Sequence, residues 1–182
     1  EWIRNDGYGS DIHECDWFGI QCHSNKLLET VSMEDNNMQG QIPKEIGTLT
    51  RLDKFVLLNN RINGTIPSEI GKLQLLTLLR LEDNMISGTI PDEIGDCRSL
   101  EILKLFLNKL TGSIPSSIGN LRFLQHLFLG DNNLSGSIPS DLSRLSSLTF
   151  LRLDTNELTG SIPTELGSLT FLTKMELQLN KL

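Results

Sequence analysis

The chain has 182 residues, a formal charge of −7, 38% apolar and 21% charged residues, and 34 leucines but no alanine, enough apolar material for the buried core of one ordinary unit. No apolar run approaches the ~18 residues of a membrane span, and the apolar residues are too plentiful and too regularly placed for a disordered chain. Asp and Glu outnumber Lys and Arg 23 to 16, so no overall basic surface exists to neutralise phosphates, and neither nucleic acid nor a membrane is expected as a partner of this segment.

Residues 1–27 hold Trp2, Tyr8, Trp17 and Phe18 together with Cys15 and Cys22, a composition unlike anything that follows. They are expected to form an N-terminal cap, because aromatic side chains cover the apolar end of a stack with few residues. His13, Cys15, Cys22 and His23 are also suitable zinc ligands. Structural zinc pairs usually stand about two to four residues apart, whereas six residues separate these cysteines, so no metal is expected. Glu1 opens the chain with neither an initiator Met nor a leader, and Asn180, Lys181 and Leu182 stop inside a repeating pattern, which predicts a fragment of a larger protein.

From residue 28 the chain repeats. Pro43, Pro67, Pro91, Pro115, Pro139 and Pro163 are spaced by 24 residues without an insertion, each preceded by Ile and lying three residues after a Gly. Seven residues before each Pro stands Asn36, Asn60, Asn84, Asn108, Asn132 or Asn156, and Asn180 falls where a seventh is due. Residues 28–182 thus form six complete units and a truncated seventh. Apolar residues three and five before each Asn, such as Leu151 and Leu153 before Asn156, alternate as in a strand with one buried face. One unit buries only a wedge of side chains and needs the next unit stacked on it. Cys97 stands where the other units have Leu and is expected to be a buried free thiol.

The stretch Leu148 to Pro163 fits L-x-x-L-x-L-x-x-N-x-L-x-G-x-I-P at every named position, and here the sequence resembles the plant-type leucine-rich repeats. The resemblance implies an α/β solenoid, a right-handed superhelix of 24-residue repeats with a parallel β-sheet on the concave face. It also implies that the seven Asn side chains lie inside the turns and bond backbone groups left without sheet partners, since buried backbone groups must be paired. Cys15-Asp16-Trp17-Phe18-Gly19-Ile20-Gln21-Cys22 is similar to the C-x-W-x-G-x-x-C element of that family's cap, in which the two cysteines are bonded to each other. Such a bond implies an oxidising compartment, hence an extracellular or cell-surface setting. The sequons Asn63-Gly64-Thr65 and Asn133-Leu134-Ser135 are candidate glycosylation sites that agree with it.

With the buried positions assigned, residues two, four and six before each Asn point onto the concave face. There Phe106, Phe128 and Phe150, spaced by 22 residues, should form a diagonal row, accompanied by Leu58 and Ile102 and by Arg80, Lys104, His126, Arg152 and Lys174. Aromatic anchors ringed by charge suit a protein-binding surface, so these ten residues are the candidate ligand contacts. Seven strands at about 4.8 Å make a strip of about 29 Å, the reach of an extended peptide of about nine residues. An apolar ligand side chain near Phe128 and a carboxylate near Arg152 or Lys174 would fit. The alternative is that the rings stack on one another and touch no partner. No cofactor is expected, and no catalytic residue: two of the three His lie in the cap, His126 stands on an open strand, and Asp131 beside it has an obvious solvated role.

The resembling proteins are ligand-binding ectodomains of receptor-like kinases and receptor-like proteins, and secreted polygalacturonase inhibitors. A protein or peptide ligand, with a possible co-receptor, is therefore the partner the resemblance implies. The Trp-Phe-Gly run of the cap also resembles family members from algae such as diatoms, where a secreted cell-wall or adhesion role is the alternative. An intracellular scaffold is the reading left if the cysteines are unpaired.

Overall fold

A computed structural model describes residues 20–22 and 28–182. The described part of the cap is strand β1 (Ile20–Cys22), which pairs antiparallel with β2 (Leu28–Ser32), Ile20 opposite Val31. His13, Cys15 and His23 lie outside the described residues, and with them most of the cap assigned to residues 1–27.

Each following turn of chain contributes a concave strand, a short outer strand and a helical segment. In chain order the strands are β3 (Gln39–Gln41), β4 (Lys54–Val56), β5 (Arg61–Asn63), β6 (Leu78–Arg80), β7 (Ser87–Gly88), β8 (Ile102–Lys104) and β9 (Lys109–Ser113). They continue as β10 (His126–Phe128), β11 (Asn133–Gly136), β12 (Phe150–Arg152), β13 (Glu157–Leu158) and β14 (Lys174–Glu176). The principal sheet runs β1-β2-β4-β6-β8-β10-β12-β14 and is parallel from β2 onward. Its register is one repeat per strand: Leu79 lies opposite Leu103, Leu103 opposite Leu127, and Leu127 opposite Leu151.

The helical part of this α/β solenoid consists of 3-10 segments of five residues, for example Asp92–Asp96 and Ser116–Asn120. Each is entered from a Pro with extended backbone, such as Pro91 at φ −70° and ψ 143°. Proline fits there because it presets φ and no ladder needs its missing N–H. The Gly three residues earlier has positive φ, +75° at Gly88 and Gly112, a conformation that a Cβ would strain. These two residues re-aim the chain from the outer strand into the convex side.

The core is one continuous column. Leu79, Leu81, Leu103, Leu105, Leu127, Leu129, Leu151 and Leu153 are fully buried, joined from the convex side by Ile70, Ile94 and Ile118. Cys97 is buried and free, and burial, helped by Asp96, pushes its thiol up to about 12.

Inside each bend the Asn side chain acts as a backbone partner. Asn132 Nδ2 donates to the carbonyls of Leu105, Leu129 and Gly130 at 3.0, 3.1 and 3.1 Å, and its Oδ1 accepts from the Leu110 amide at 2.9 Å. Asn60, Asn84, Asn108, Asn156 and Asn180 repeat the pattern, reaching 22 and 27 residues back into the preceding turn. Asn36, in the first turn, is half-buried, and its own amide is held by Asn60 Oδ1. The ladder therefore couples turns as well as closing them.

Candidate functional site

The solvent-facing side of the principal sheet follows from period-two alternation: while Leu79, Leu103, Leu127 and Leu151 enter the core, their neighbours on each strand face outward. Strand register makes two rows. Leu78, Ile102, His126, Phe150 and Lys174 are aligned, and so are Val56, Arg80, Lys104, Phe128, Arg152 and Glu176. Just beyond the strand ends a third row holds Leu58, Glu82, Phe106, Gly130 and Asp154. All ten candidate contacts are thus on one face.

The rings do form a diagonal. Phe106 and Phe128 meet edge to face at 6.4 Å between centroids, and Phe128 and Phe150 at 4.6 Å. His126 stacks on Phe128 at 5.5 Å, its planes 8° apart. Each phenyl face also carries a cation of the protein itself: Lys104 over Phe128 at 5.1 Å, Arg152 over Phe106 at 4.9 Å, and Lys174 over Phe150 at 4.6 Å. The rings are half-buried rather than bare, because these contacts cover them.

The charges differ from the simple rim expected from sequence. Arg152 is enclosed by Asp154 at 2.8 Å, Asp131 at 2.7 Å and Glu176 at 3.6 Å, and Lys174 is paired with Glu176 at 2.7 Å. Hydrogen bonding to Asp154 above all, with the charges of Asp154, Asp131 and Glu176, holds the Arg152 guanidinium above its ordinary value against the opposing effect of burial. A ligand carboxylate at Arg152 or Lys174 would have to displace carboxylates already there. Asp131 is correspondingly not a merely solvated residue; it is half-buried and closes this cluster. Gly130 makes the cluster possible, since a Cβ there would stand 2.5 Å from Asp154 Oδ1 and 3.2 Å from Arg152 Nε.

Glu82 and Asp154 face outward yet are 3% and 6% exposed, because Arg80 and Arg152 lie across them. Glu82 Oε1 accepts from Arg80 Nε at 2.8 Å, while its Oε2 has no hydrogen-bond partner among the described residues. Val56 is buried as well, which removes it from the accessible surface. Lys104 lies between Arg80 and Phe128 in register and makes no ion pair among the described residues. Its ammonium is shifted down chiefly by burial, then by Arg80, with Glu82 opposing. Burial and then Lys104 likewise push His126 down.

Sequence patterning passed over Leu107. It stands beside Phe106, 45% exposed, with φ +54°. The signal was a Leu at a position where neighbouring turns carry Asn59, Asp83, Asp131 and Thr155. The sequon residues Asn63 and Asn133 are exposed on β5 and β11, outside the principal sheet. Among the described residues no helix is long and apolar enough to cross a membrane.

A stack of 24-residue turns with a solvent-facing parallel sheet defines a repeat solenoid. Four segments, residues 75–97, 99–121, 123–145 and 147–169, match the family model described as Leucine Rich Repeat, together half of the chain, and the chain belongs to that family. No curated protein matches it in sequence. Among solved structures it is similar to a TDR receptor, at 40% identity and a TM-score of 0.82 over 84% of this chain and 26% of that one. It is similar to the Arabidopsis receptor kinase HAESA, solved in complex with the peptide hormone IDA and the co-receptor SERK1, at 32% identity and a TM-score of 0.85 over 93% of this chain and 29% of that one. A third similar structure is a Pollen Receptor Kinase 3, at 30% identity and a TM-score of 0.82, over 94% of this chain and 83% of that one. The chain spans less than a third of the TDR and HAESA chains.

Proposed function

We propose that this chain is an extracellular recognition module of a receptor-like ectodomain, and that its concave sheet binds an extended peptide or a protein segment rather than performing catalysis. The observation that carries the reading is the pre-assembled diagonal of Phe106, Phe128 and Phe150 with His126, held in place by Lys104, Arg152 and Lys174 on a solvent-facing side of the sheet. Ordered aromatic side chains lose little entropy on binding and supply most of the contact energy in such surfaces. Leu58, Ile102 and Arg80 extend the contact area on the N-terminal side. A ligand carboxylate is assigned to Lys104, which makes no ion pair among the described residues, and Arg152 and Lys174 act as parts of an ion-pair cluster with Asp131, Asp154 and Glu176 that positions the rings.

Similarity to HAESA, a receptor kinase solved with a peptide hormone and a co-receptor, supports a peptide ligand and a co-receptor as partners. Residues 1–27 are assigned as the cap, with Cys15 bonded to Cys22 and Asn63 and Asn133 glycosylated, as suits a cell-surface setting. The test is affinity selection of nonapeptides from a random displayed library on the secreted chain. Peptides selected by the wild type should bind Phe128→Ala at least about fivefold more weakly, the loss of a hot-spot ring. Phe123→Ala, whose exposed ring lies outside the concave rows, should leave affinity unchanged. Equal loss in both variants, or selection of no peptide, would refute the reading.

A further inference from the structure

Eight described non-glycine residues have positive φ, and seven occupy the position just before the ladder Asn of each turn. Asp35, Asn59, Asp83 and Asp131 are residues whose short polar side chains tolerate that conformation, and Thr155 has its hydroxyl within reach of Asp154. Leu179, in the last turn and 74% exposed, and Leu107, inside the stack, are different, and Leu107 is the one beside Phe106. It holds φ +54°, a strained value for a Leu, it is largely open to water, and it gains no hydrogen bond in return. Neither neighbour buries it: its amide donates to Gly130 O and its carbonyl accepts from Asn84, which places it one strand from Asp83 on one side and Asp131 on the other. Stability alone would favour Asn or Asp here. Strain kept by an exposed side chain points to contact with something outside the chain.

Two neighbours define what that is. Phe106, the adjoining residue, begins the aromatic diagonal, so Leu107 extends the apolar surface past the strand end. Asp83 is exposed and has no ion-pair or side-chain hydrogen-bond partner among the described residues, whereas Asp131 is already taken by Arg152. Charge is therefore open on the Asp83 side only. We infer that Leu107 is a specificity-determining contact: it receives an aliphatic or aromatic side chain of an extended peptide, and Asp83 receives a Lys or Arg next to or one residue beyond it. The inference rests on the concave-face reading and adds a residue pair to it.

The test repeats the nonapeptide selection on the full chain with four variants. Wild type should enrich peptides that pair an apolar residue with a nearby Lys or Arg. Leu107→Asn should lower affinity for those peptides about tenfold and erase the apolar preference, Leu107→Met should retain both, and Asp83→Asn should erase the basic preference alone. Leu179→Asn relieves the same backbone strain one unit past the last aromatic residue, Phe150, and should change neither. The midpoint of thermal unfolding of Leu107→Asn should stay level or rise by about 2 °C, as expected for relief of one left-handed Leu in a chain of this size. If Leu107→Asn selects the same peptides as wild type while Phe128→Ala does not, the Leu107 assignment fails and the concave reading stands. If no peptide is enriched by wild type, both fail. A fall in the midpoint of more than about 4 °C would show that Leu107 serves packing, and would also overturn the assignment.

Discussion

Replacing Asn132 by Ala tests the account of how the turns are joined. The Asn132 carboxamide makes four bonds, but they are not equivalent. The Leu105 carbonyl also accepts from Asn108, the Leu129 carbonyl from Asn156, and the Gly130 carbonyl from the Leu107 amide. Each therefore keeps a partner when Asn132 is lost. The Leu110 amide loses its Asn132 Oδ1 acceptor in a buried place. One orphaned donor costs about 1–3 kcal/mol, and halving the coordination of three carbonyls adds about 1 more, so Asn132→Ala should lose about 2–4 kcal/mol. For a domain of this size that is a fall of roughly 5–12 °C in the midpoint. Asn132→Asp keeps the acceptor but sets a carboxylate against three carbonyl oxygens, so it should be worse than Ala at pH 7 and recover as the pH is lowered and the carboxyl takes a proton. Asn180→Ala removes the same bonds at a part-exposed bend, where water can replace them, and should cost less. Unfolding in guanidinium followed by circular dichroism measures all three. A loss at Asn132 below that at Asn180, or an Asp variant more stable than Ala at pH 7, would refute the reasoning.

Three further outcomes follow from the packing and the charges. Gly95→Ala places a Cβ 2.4 Å from the Ser117 carbonyl and should destabilise by about 1–3 kcal/mol, whereas Gly167→Ala meets nothing within 4 Å and should be neutral or slightly stabilising; denaturant midpoints compare them. Cys97, with its thiol at about 12 and no exposure, should resist alkylation in the native protein at pH 8 and react at a normal rate in denaturant. His126 should titrate below 6.5 by proton NMR, and Lys104→Met should raise it only part way, because burial is the larger cause. Since its folded value is depressed, the unfolded chain takes the proton first: stability is intact above 6.5 and declines as the pH falls through the folded value, and His126→Gln should flatten that decline.

The scaffold was legible because its residues answer to one local demand each. A Pro that begins every 3-10 segment, a Gly at positive φ and an Asn that bonds the bend are required wherever the chain turns, so they recur every 24 residues and can be counted. The aromatic diagonal was legible for the same reason, since a spacing of 22 is one repeat less one pleat. What patterning could not supply was the state of the charges. Arg152 is on the outward row, as alternation requires, yet whether it is available depends on Asp131, 21 residues back, on Asp154 and Glu176, and on Gly130 leaving room for all of them. Those are relations among three turns, carried by side-chain length and rotamer rather than by period.

That distinction bears on where binding energy can reside. A cation already paired with the protein's own carboxylates contributes little to a new partner, since each bond gained replaces one lost and the displaced carboxylate must be rehydrated or re-paired. Arg152 and Lys174 are therefore poor anchors despite their position, and their effect on a ligand is exerted through the rings they hold. The residues with something to gain are Lys104 and Asp83, neither of which makes an ion pair among the described residues, and Leu107 with its side chain in water and its backbone strained. They lie on neighbouring turns, with Phe106 and Phe128 among them. Affinity for an extended peptide should concentrate in that short stretch of the sheet, and substitutions in the first and last turns should matter through stability instead.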